Sequence, residues 1–291
     1  MLRIPLPAAL VEQARAYASG EMTPVEPRNA ATVVLMRPST STAANSSGGP
    51  EVYLLRRQAS MAFAGGMCVF PGGGVDPRDF DHAVAWAGPA PADWAARLGT
   101  DERTARALVC AAVRETFEES GVLLAGPRDE PGAVVADTSG DDWEADRVAL
   151  EGRELSLTDF LDRRGLVLRS DLLGAWSGWL TPEFEPRRYR TWFFVAALPE
   201  GQLTRDVSSE SSAVAWLPLP DALARADAGE VMMMPPTYLT CLDVARHGAP
   251  ADVLAEAAGR KVTMFMPEVV TVDGASTLSV PPGYDVLLAD T

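Results

Sequence analysis

Three carboxylates and one arginine stand close together in the segment RETFEESGV, residues 114–122. Glu115, Glu118 and Glu119 are spaced i, i+3 and i+4, which places them on one face of a helix. Like charges at this spacing repel each other, and the negative end of the helix dipole adds to the repulsion. Clustered carboxylate oxygens suit Mg²⁺ or Mn²⁺, and Arg114, one turn from Glu118, can pair with it. On these residues alone, both a metal site and a solvated acidic face remain open.

A glycine-rich turn is the second segment that could take part in chemistry. Residues 70–74 read Phe-Pro-Gly-Gly-Gly, and successive glycines let a backbone approach a ligand or a metal ion closely. Taken alone, the segment is also consistent with an ordinary tight turn. Together with a carboxylate-bearing helix, it favours the metal site over the solvated face.

The elements that must position these residues follow from the hydrophobic pattern. A helix is predicted over residues 100–119, with Thr100 as its N-cap and Gly121 as its stop. Further helices are predicted at residues 157–165, 219–228 and 237–247. Strands are predicted at residues 30–37, 51–57, 189–198, 213–217, 262–272 and 278–280. The first two strands form a predicted hairpin with a low-complexity connection, 38–50, whereas residues 128–146 are acidic and loop-like.

The turn and the helix together resemble the Nudix box, G-x5-E-x7-R-E-U-x-E-E-x-G-U, where U is apolar. Its second half is matched by Arg114, Glu115, Glu118, Glu119, Gly121 and Val122, with Thr116 at the first U. Gly73 and Asp79 fit the first half, with Asp in place of Glu. Because 34 residues instead of 7 separate Asp79 from Arg114, 27 extra residues split the box. A contiguous box would place Arg106 at the Glu position and Thr100 at the first Gly, which fits poorly.

The coenzyme A diphosphatase branch of the Nudix family has such an insertion, and the chain resembles that branch outside the box. Gly66-x3-Phe70-Pro71-Gly72-Gly73 matches the end of the branch's upstream motif. Arg57 falls on the first Arg of that motif, but Ala62 replaces the second. The other similarities are Tyr53-Leu54, the segment 188–195, Glu210 six residues before Trp216, and Pro235-Pro236-x-Tyr238. The resemblance extends over about residues 30–285.

The resemblance implies an enzyme that hydrolyses a nucleoside diphosphate linked to another moiety, X, with metal ions neutralising the pyrophosphate. It implies that Glu115 and Glu119 are the principal metal ligands and that Glu118 is a further ligand or the base. The backbone at Gly73 and Gly74 would complete the shell. Arg114 braces this group. Glu210 is a candidate late carboxylate for metal or water, or else an ordinary loop residue. Arg56 and Arg57 are candidate phosphate contacts, or else surface residues at a strand end.

The expected substrate is coenzyme A or an acyl derivative, with Mg²⁺ as cofactor and Mn²⁺ as a possible substitute. One alternative keeps the fold and changes X, so that ADP-ribose or another nucleotide is cleaved. A different class of function is a nucleotide-binding sensor without turnover. The intact carboxylates Glu115, Glu118 and Glu119 argue against the sensor, because a pure binder has less need for crowded negative charge.

The resemblance implies an α/β fold, the Nudix α/β/α sandwich with a mixed sheet and an inserted helical cap. We expect one elaborated domain: a core at about 28–122 and 186–285, an insertion at 80–106, and the helical cap at about 123–185. A homodimer is common in the family. The net charge of −15 disfavours nucleic acid and anionic membranes as partners. No signal peptide is recognised in residues 1–12, and the three cysteines form no CxxC pair, so we expect a cytoplasmic protein with buried free thiols.

Overall fold

The computed structural model describes residues 5–39, 49–61, 64–130, 132–272 and 274–289. Its helices are α1 (Ala8–Ala18), α2 (Pro91–Leu98), α3 (Glu102–Ser120), α4 (Asp141–Glu151), α5 (Leu157–Arg163), α6 (Leu219–Asp227), α7 (Pro235–Val244), α8 (Pro250–Ala257) and α9 (Tyr284–Ala289). Its strands are β1 (Arg28–Arg37), β2 (Glu51–Arg57), β3 (Cys68–Val69), β4 (Gly72–Gly74), β5 (Trp86–Ala87), β6 (Ala125–Pro127), β7 (Leu166–Arg169), β8 (Gly174–Leu180), β9 (Tyr189–Ala197), β10 (Ser211–Pro218), β11 (Met264–Phe265), β12 (Val269–Val272) and β13 (Ala275–Leu278).

A mixed sheet forms the centre of the described chain. Its strand order is β10-β2-β1-β9-β8-β11, with β3 beside β2 and β4 beside β1. β1 is parallel to β9 and antiparallel to β2, so the predicted hairpin of the first two strands is confirmed. Of the predicted loop between them, residues 40–48 lie outside the described residues. β4 pairs with β1, which fixes the glycine turn on the sheet at the edge of the site.

Both faces of this sheet are covered by helices. Along β1, Val33 and Leu35 pack into a core with α2, α3 and α5, whereas Val34 and Met36 pack into a second core with α6, α7 and α8. Neighbouring residues of a strand point to opposite faces of the sheet. Because β1 is apolar at both odd and even positions, both faces must be covered. The expected α/β fold with a mixed sheet between helices is therefore confirmed.

The box helix α3 is longer than the box requires. Asp101, not the predicted Thr100, is the N-cap, and its carboxylate accepts a hydrogen bond of 2.9 Å from the Thr104 amide. The helix ends at Ser120, where Gly121 adopts the left-handed conformation with φ of 74°, as its predicted role as a stop requires. Residues 80–106 fold as β5, α2 and the start of α3. The α2 residue Trp94, fully buried, contacts Phe194 of β9 at 5.8 Å between ring centroids.

Residues 123–185, expected to form a helical cap, are only partly helical. They contain α4 and α5, but also β6 and β7, which pair with each other beside β5. The same stretch contains β8, which belongs to the central sheet through its pairing with β9. The register of β8 shifts between Ala175 and Ser177, and Trp176 and Trp179 both pack into the core on the α6, α7 and α8 side of the sheet.

Several predicted boundaries need correction. α4 starts inside the stretch 128–146 that reads as a loop, because Asp141, Asp142 and Glu144 in its first turn favour a helix N-terminus. The predicted strand 262–272 is two short strands, β11 and β12, and the strand predicted at 278–280 is β13, which ends at Leu278. The cysteines are free and buried as expected. No helix among the described residues is long and apolar enough to cross a membrane.

Candidate active site

The glycine turn packs directly against the carboxylate face of α3. The Gly72 amide donates a hydrogen bond of 2.7 Å to Glu119 Oε2, and the Gly74 carbonyl accepts one of 3.1 Å from Arg114 Nη2. A Cβ atom at Gly73 would lie 2.5 Å from Glu115 Oε1, closer than any carbon can approach. Glycine is therefore required here so that the Glu115 carboxylate can lie against the turn.

Arg114 is the centre of the cluster. Its guanidinium donates two hydrogen bonds to Asp79, at 3.0 Å from Nε and 2.9 Å from Nη2. Its Nη1 donates to Glu115 Oε1 at 2.8 Å and to Glu118 Oε2 at 3.1 Å. The ion pair predicted between Arg114 and Glu118 is present. The bidentate contact places Asp79 where the split box requires a carboxylate, and the box therefore closes in space across its 27 extra residues.

The carboxylates are buried and hold their protons more tightly than usual. Burial, with the Glu115 charge, raises the pKa of the Glu118 carboxyl to about 8. Burial also raises the pKa of Glu115 and, further still, that of Glu119, against the opposing effects of Arg114 and the Gly72 amide. Burial opposes the charge of Arg114, but Glu115, Asp79 and Glu118 outweigh it and raise its pKa. Asp79, Glu115 and Glu118 pair with Arg114, and Glu119 lies beside them at the Gly72 amide. A bound cation would therefore favour the ionised form of carboxyls that otherwise hold their protons.

The donor set fits an oxygen-binding cation held with an open shell. Glu118 Oε1 is buried and has no hydrogen-bond partner among the described residues, so one acceptor faces no donor of the protein. In that part of the chain, no three His, Cys, Asp or Glu side chains are grouped so that they could hold a metal ion by themselves. Arg114 Nη1 donates to both Glu115 and Glu118. Mg²⁺ is commonly bound in this way, by few carboxylates together with water and substrate phosphate.

A cleft of about 830 Å³ opens over these carboxylates, and its lining is mixed in polarity. Besides further acidic residues, the lining contains a set of arginines, termed here the cationic wall: Arg28, Arg57, Arg78 and Arg153. It also contains a set of apolar side chains, termed the apolar wall: Met67, Phe70, Trp179, Phe193, Met234 and Pro235. A ligand with a charged part and an apolar part would match both walls.

The remaining predicted site residues divide into two groups. Glu210 lines the cleft and pairs with Arg57 at 2.9 Å, so these two residues meet beside the box carboxylates. Arg56 is exposed and does not line the cleft, because neighbouring residues of β2 point to opposite faces. His82 is exposed, and His247 lies 3.2 Å from Glu256, away from the cleft.

Two residues that sequence reasoning did not single out support the end of α3. Arg147 of α4, buried, donates a hydrogen bond of 2.8 Å to the Glu118 carbonyl. The Arg205 amide donates to the Ser120 carbonyl at 2.9 Å, and its guanidinium lies against Gly121. The helix has no basic residue in its own last turn, and these distant residues supply the positive charge that its C-terminus favours. No local sequence motif predicts these two contacts.

Known proteins resemble the chain over most of its length. The model of the NUDT19 Nudix domain matches residues 98–246, about half of the chain. Human acyl-coenzyme A diphosphatase NUDT19 is 28% identical in an alignment of 312 positions, gaps included, that covers 91% of this chain and 81% of that protein. Putative nudix hydrolase 7 of Caenorhabditis elegans is 26% identical over 214 residues, which cover 72% of this chain and 57% of the worm protein. A NUDIX hydrolase from Alicyclobacillus acidocaldarius superposes with a TM-score of 0.67 at 26% identity, covering 82% of this chain and 99% of that one.

The sandwich fold and the glycine turn packed on a carboxylate-bearing helix define a Nudix hydrolase. Within that class of enzymes, the chain belongs to the family described by the NUDT19 Nudix domain. The match to the family begins at residue 98 and so includes the box helix but not Gly73 or Asp79. For those two residues, the contacts described above carry the assignment to the box.

Proposed function

We propose that the chain is a Mg²⁺-dependent pyrophosphohydrolase that cleaves the diphosphate of coenzyme A or an acyl-coenzyme A. The observation that supports it most is the position of the box carboxylates, at the floor of a cleft with one cationic and one apolar wall. The names of the vertebrate relatives agree with this substrate class. We also retain the expectations of a single elaborated domain and a homodimer.

The box residues hold the cation in this proposal. Glu115, Glu118 and Glu119 present carboxylate oxygens, and the backbone of Gly73 lies against Glu115. When bound, Mg²⁺ neutralises charge on the pyrophosphate and makes a coordinated water more acidic. Arg114 fixes the positions of the Glu115 and Glu118 carboxylates relative to each other, because its Nη1 donates to both. Mn²⁺ prefers the same oxygen ligands and is expected to substitute.

Glu210 is the proposed acceptor of the water proton or the group that orients the water. Its side chain is half exposed at the cleft, where it reaches both solvent and the box. Arg57 holds one of its oxygens at 2.9 Å and leaves the other free of that contact. A fixed carboxylate with an available oxygen is suited to this role.

The cationic wall and the apolar wall of the cleft support coenzyme A as the substrate over smaller nucleotides. The cationic wall suits the phosphates of the nucleotide half, and Arg57, Arg78 and Arg153 supply charged donors there. The apolar wall suits the pantetheine arm or an acyl chain, because removing apolar surface from water stabilises the complex. An ADP-ribose or dinucleotide substrate would leave that wall facing a polar group.

Hydrolysis by the purified chain with Mg²⁺ tests this function. The panel is coenzyme A, acyl-coenzyme A, ADP-ribose, NADH and nucleoside triphosphates, with Glu119→Gln as the control. Release of 3′,5′-ADP and 4′-phosphopantetheine from coenzyme A, lost in the variant, is the expected result. Cleavage of another panel member alone would overturn the coenzyme A assignment. Tight nucleotide binding without any turnover would overturn the enzyme and favour a sensor.

A further inference from the structure

Arg147 is a buried cation that the proposed chemistry does not use. It lies on α4 with a fractional exposure of 3%, outside the box and outside the cleft lining. Its Nη1 donates to the Glu118 carbonyl at 2.8 Å and to Glu151 Oε2 at 2.9 Å. Its other nitrogens donate to Glu144, with the shortest contact at 2.7 Å. The main-chain oxygen that accepts from this guanidinium thus belongs to Glu118, whose side chain is a proposed metal ligand.

The two glutamates that Arg147 holds reach the segment that carries Glu210. Glu151 Oε1 accepts hydrogen bonds from the Ser209 amide, at 3.2 Å, and from the Ser209 hydroxyl. Glu144 Oε2 accepts from Arg205 Nη1 at 2.8 Å. One guanidinium therefore joins the C-terminal turn of α3 to both ends of the segment 205–210, through one glutamate on each side.

The other side of this segment is held by β2. Gln58 Nε2 donates to the Ser209 carbonyl at 2.7 Å, and the Gln58 amide donates to the Glu210 carbonyl at 2.9 Å. These bonds fix the segment to the sheet but contain no contact with α3. At one end of the segment, the Arg205 amide bonds directly to the Ser120 carbonyl of α3. At the end that carries Glu210, the contacts through Arg147 and Glu151 connect the segment to α3.

We propose that Arg147 and Glu151 are positioning residues that keep Glu210 in register with the box carboxylates. The proposal rests on the proposed function, in which Glu210 acts on the water at the metal. Arg147 acts on the helix through the Glu118 carbonyl, and Glu151 acts on the loop through Ser209. Arg147 lies outside the lining of the cleft, whereas Glu151 is part of it. In this proposal, the effect of both side chains on the reaction passes through Glu118 and Glu210.

A double-mutant cycle tests the part of the proposal in which Glu151 acts on Glu210 through Ser209, here called the loop branch. Glu151→Ala and Glu210→Gln are measured singly and together, with the exposed neighbour Glu154→Ala as the matched control. We expect Glu151→Ala to lower kcat about 10-fold or more with KM changed less than about 3-fold. If Glu151 acts through Glu210, the double variant is within about 3-fold of Glu210→Gln alone. If the reductions in kcat of the two single variants multiply in the double variant, or if either single variant keeps the wild-type kcat, this branch is overturned.

Mn²⁺ binding to the metal-free protein tests the other part of the proposal, in which Arg147 acts on α3 through the Glu118 carbonyl. This measurement does not require turnover. The probe is Mn²⁺ alone, followed by electron paramagnetic resonance, in Arg147→Met and Arg147→Lys. The matched control is Arg128→Met, which removes an exposed arginine and its ion pair with Asp162. We expect Mn²⁺ affinity to fall about 10-fold or more in both Arg147 variants and to stay within about 2-fold in the control.

The lysine variant keeps the charge but cannot contact three acceptors in one plane, so it remains informative if the methionine variant fails to fold. Unchanged Mn²⁺ affinity in a folded Arg147 variant would overturn the positioning of the helix. If the Arg147 variants bind Mn²⁺ more weakly than the wild type, and the wild type hydrolyses nothing on the panel, the positioning of the helix is supported and the proposed function is rejected. The two hypotheses therefore fail separately.

Discussion

Asp79 and Arg114 are 35 positions apart in the chain, yet they meet through two hydrogen bonds of 3.0 and 2.9 Å. The Asp79 carboxylate is almost fully buried and also accepts a bond of 2.8 Å from the Asp76 amide. This pair fixes the orientation of the Arg114 guanidinium, and through it the carboxylates of Glu115 and Glu118. The geometry of the candidate metal site therefore depends on a residue outside α3.

Removal of this carboxylate should disable the site. In Asp79→Asn, Arg114 loses its bidentate partner while remaining buried, which is destabilising by about 3–5 kcal/mol. We expect kcat to fall about 100-fold or more, since Glu115 and Glu118 lose their support. Thermal unfolding and coenzyme A hydrolysis measure the two effects. The exposed Asp81→Asn is the control, and a folded, fully active Asp79→Asn would contradict the importance of the pair.

A single methyl group at Gly73 should displace a metal ligand. The Cβ of Gly73→Ala would lie 2.5–2.6 Å from the carboxylate atoms of Glu115, so that side chain must move. We expect Mn²⁺ affinity to fall about 10-fold or more. Gly248→Ala is the control, since its Cβ would meet nothing closer than 3.5 Å. Equal Mn²⁺ affinities in the two variants would show that the close approach of turn and carboxylate is dispensable.

The raised pKa of Glu118 predicts how the stability of the metal-free protein depends on pH. Burial and Glu115 raise that pKa from 4.5 to about 8, so the folded state binds more protons than the unfolded state between these values. The free energy of unfolding should therefore fall as pH rises from 6 towards 8.5, with no contribution from this group below both values. Thermal unfolding in EDTA measures this slope.

Two changes should flatten that slope. Glu118→Gln removes the proton that is taken up on folding, and Mg²⁺ neutralises the carboxylates without protons. The same scan with each change is the comparison. A melting temperature that rises with pH in EDTA, or a slope unaffected by Glu118→Gln, would show that Glu118 is not the group involved.

The apolar wall should determine the response to the acyl chain. Met234 lines the cleft, whereas the neighbouring Met232 is exposed and lies outside it. In Met234→Asp, a carboxylate faces the chain, and KM for a long-chain acyl-coenzyme A should rise about 10-fold, a loss of about 1.4 kcal/mol. KM for coenzyme A itself should rise less. Met232→Asp is the matched control, and equal effects of the two variants would remove the apolar wall from substrate recognition.

The residues of α3 show how far local pattern determines structure. The i, i+3, i+4 spacing predicts that the three glutamates share a face, and this prediction follows from helical periodicity alone. The resemblance to the Nudix box aligns Asp79 with the carboxylate of its first half, and the contact between Asp79 and Arg114 agrees with that alignment. The N-cap differs by one residue because Asp101 competes with Thr100, and an Asp carboxylate is the stronger acceptor at this position.

The support around α3 could not be predicted in this way. Arg147 belongs to a helix whose start reads as an acidic loop, and Arg205 belongs to a loop without a motif. Their bonds to the end of α3 depend on how the chain packs, and no fixed spacing relates them to the box. Likewise, β8 has the composition of a strand, but its place in the central sheet depends on pairing with β9.

The long separation of Asp79 from Arg114 also has a meaning for how such chains diverge. By loop-closure scaling, enlarging a flexible connection from 7 to 34 residues costs only about 1.4 kcal/mol of chain entropy. Here the added stretch also contributes Trp94 to the core, which offsets that loss. New sequence can therefore accumulate between two halves of a reactive centre while the centre itself stays closed. A search for a contiguous sequence motif will overlook relatives with such an insertion, whereas a search for the ion pair in the folded structure will find them.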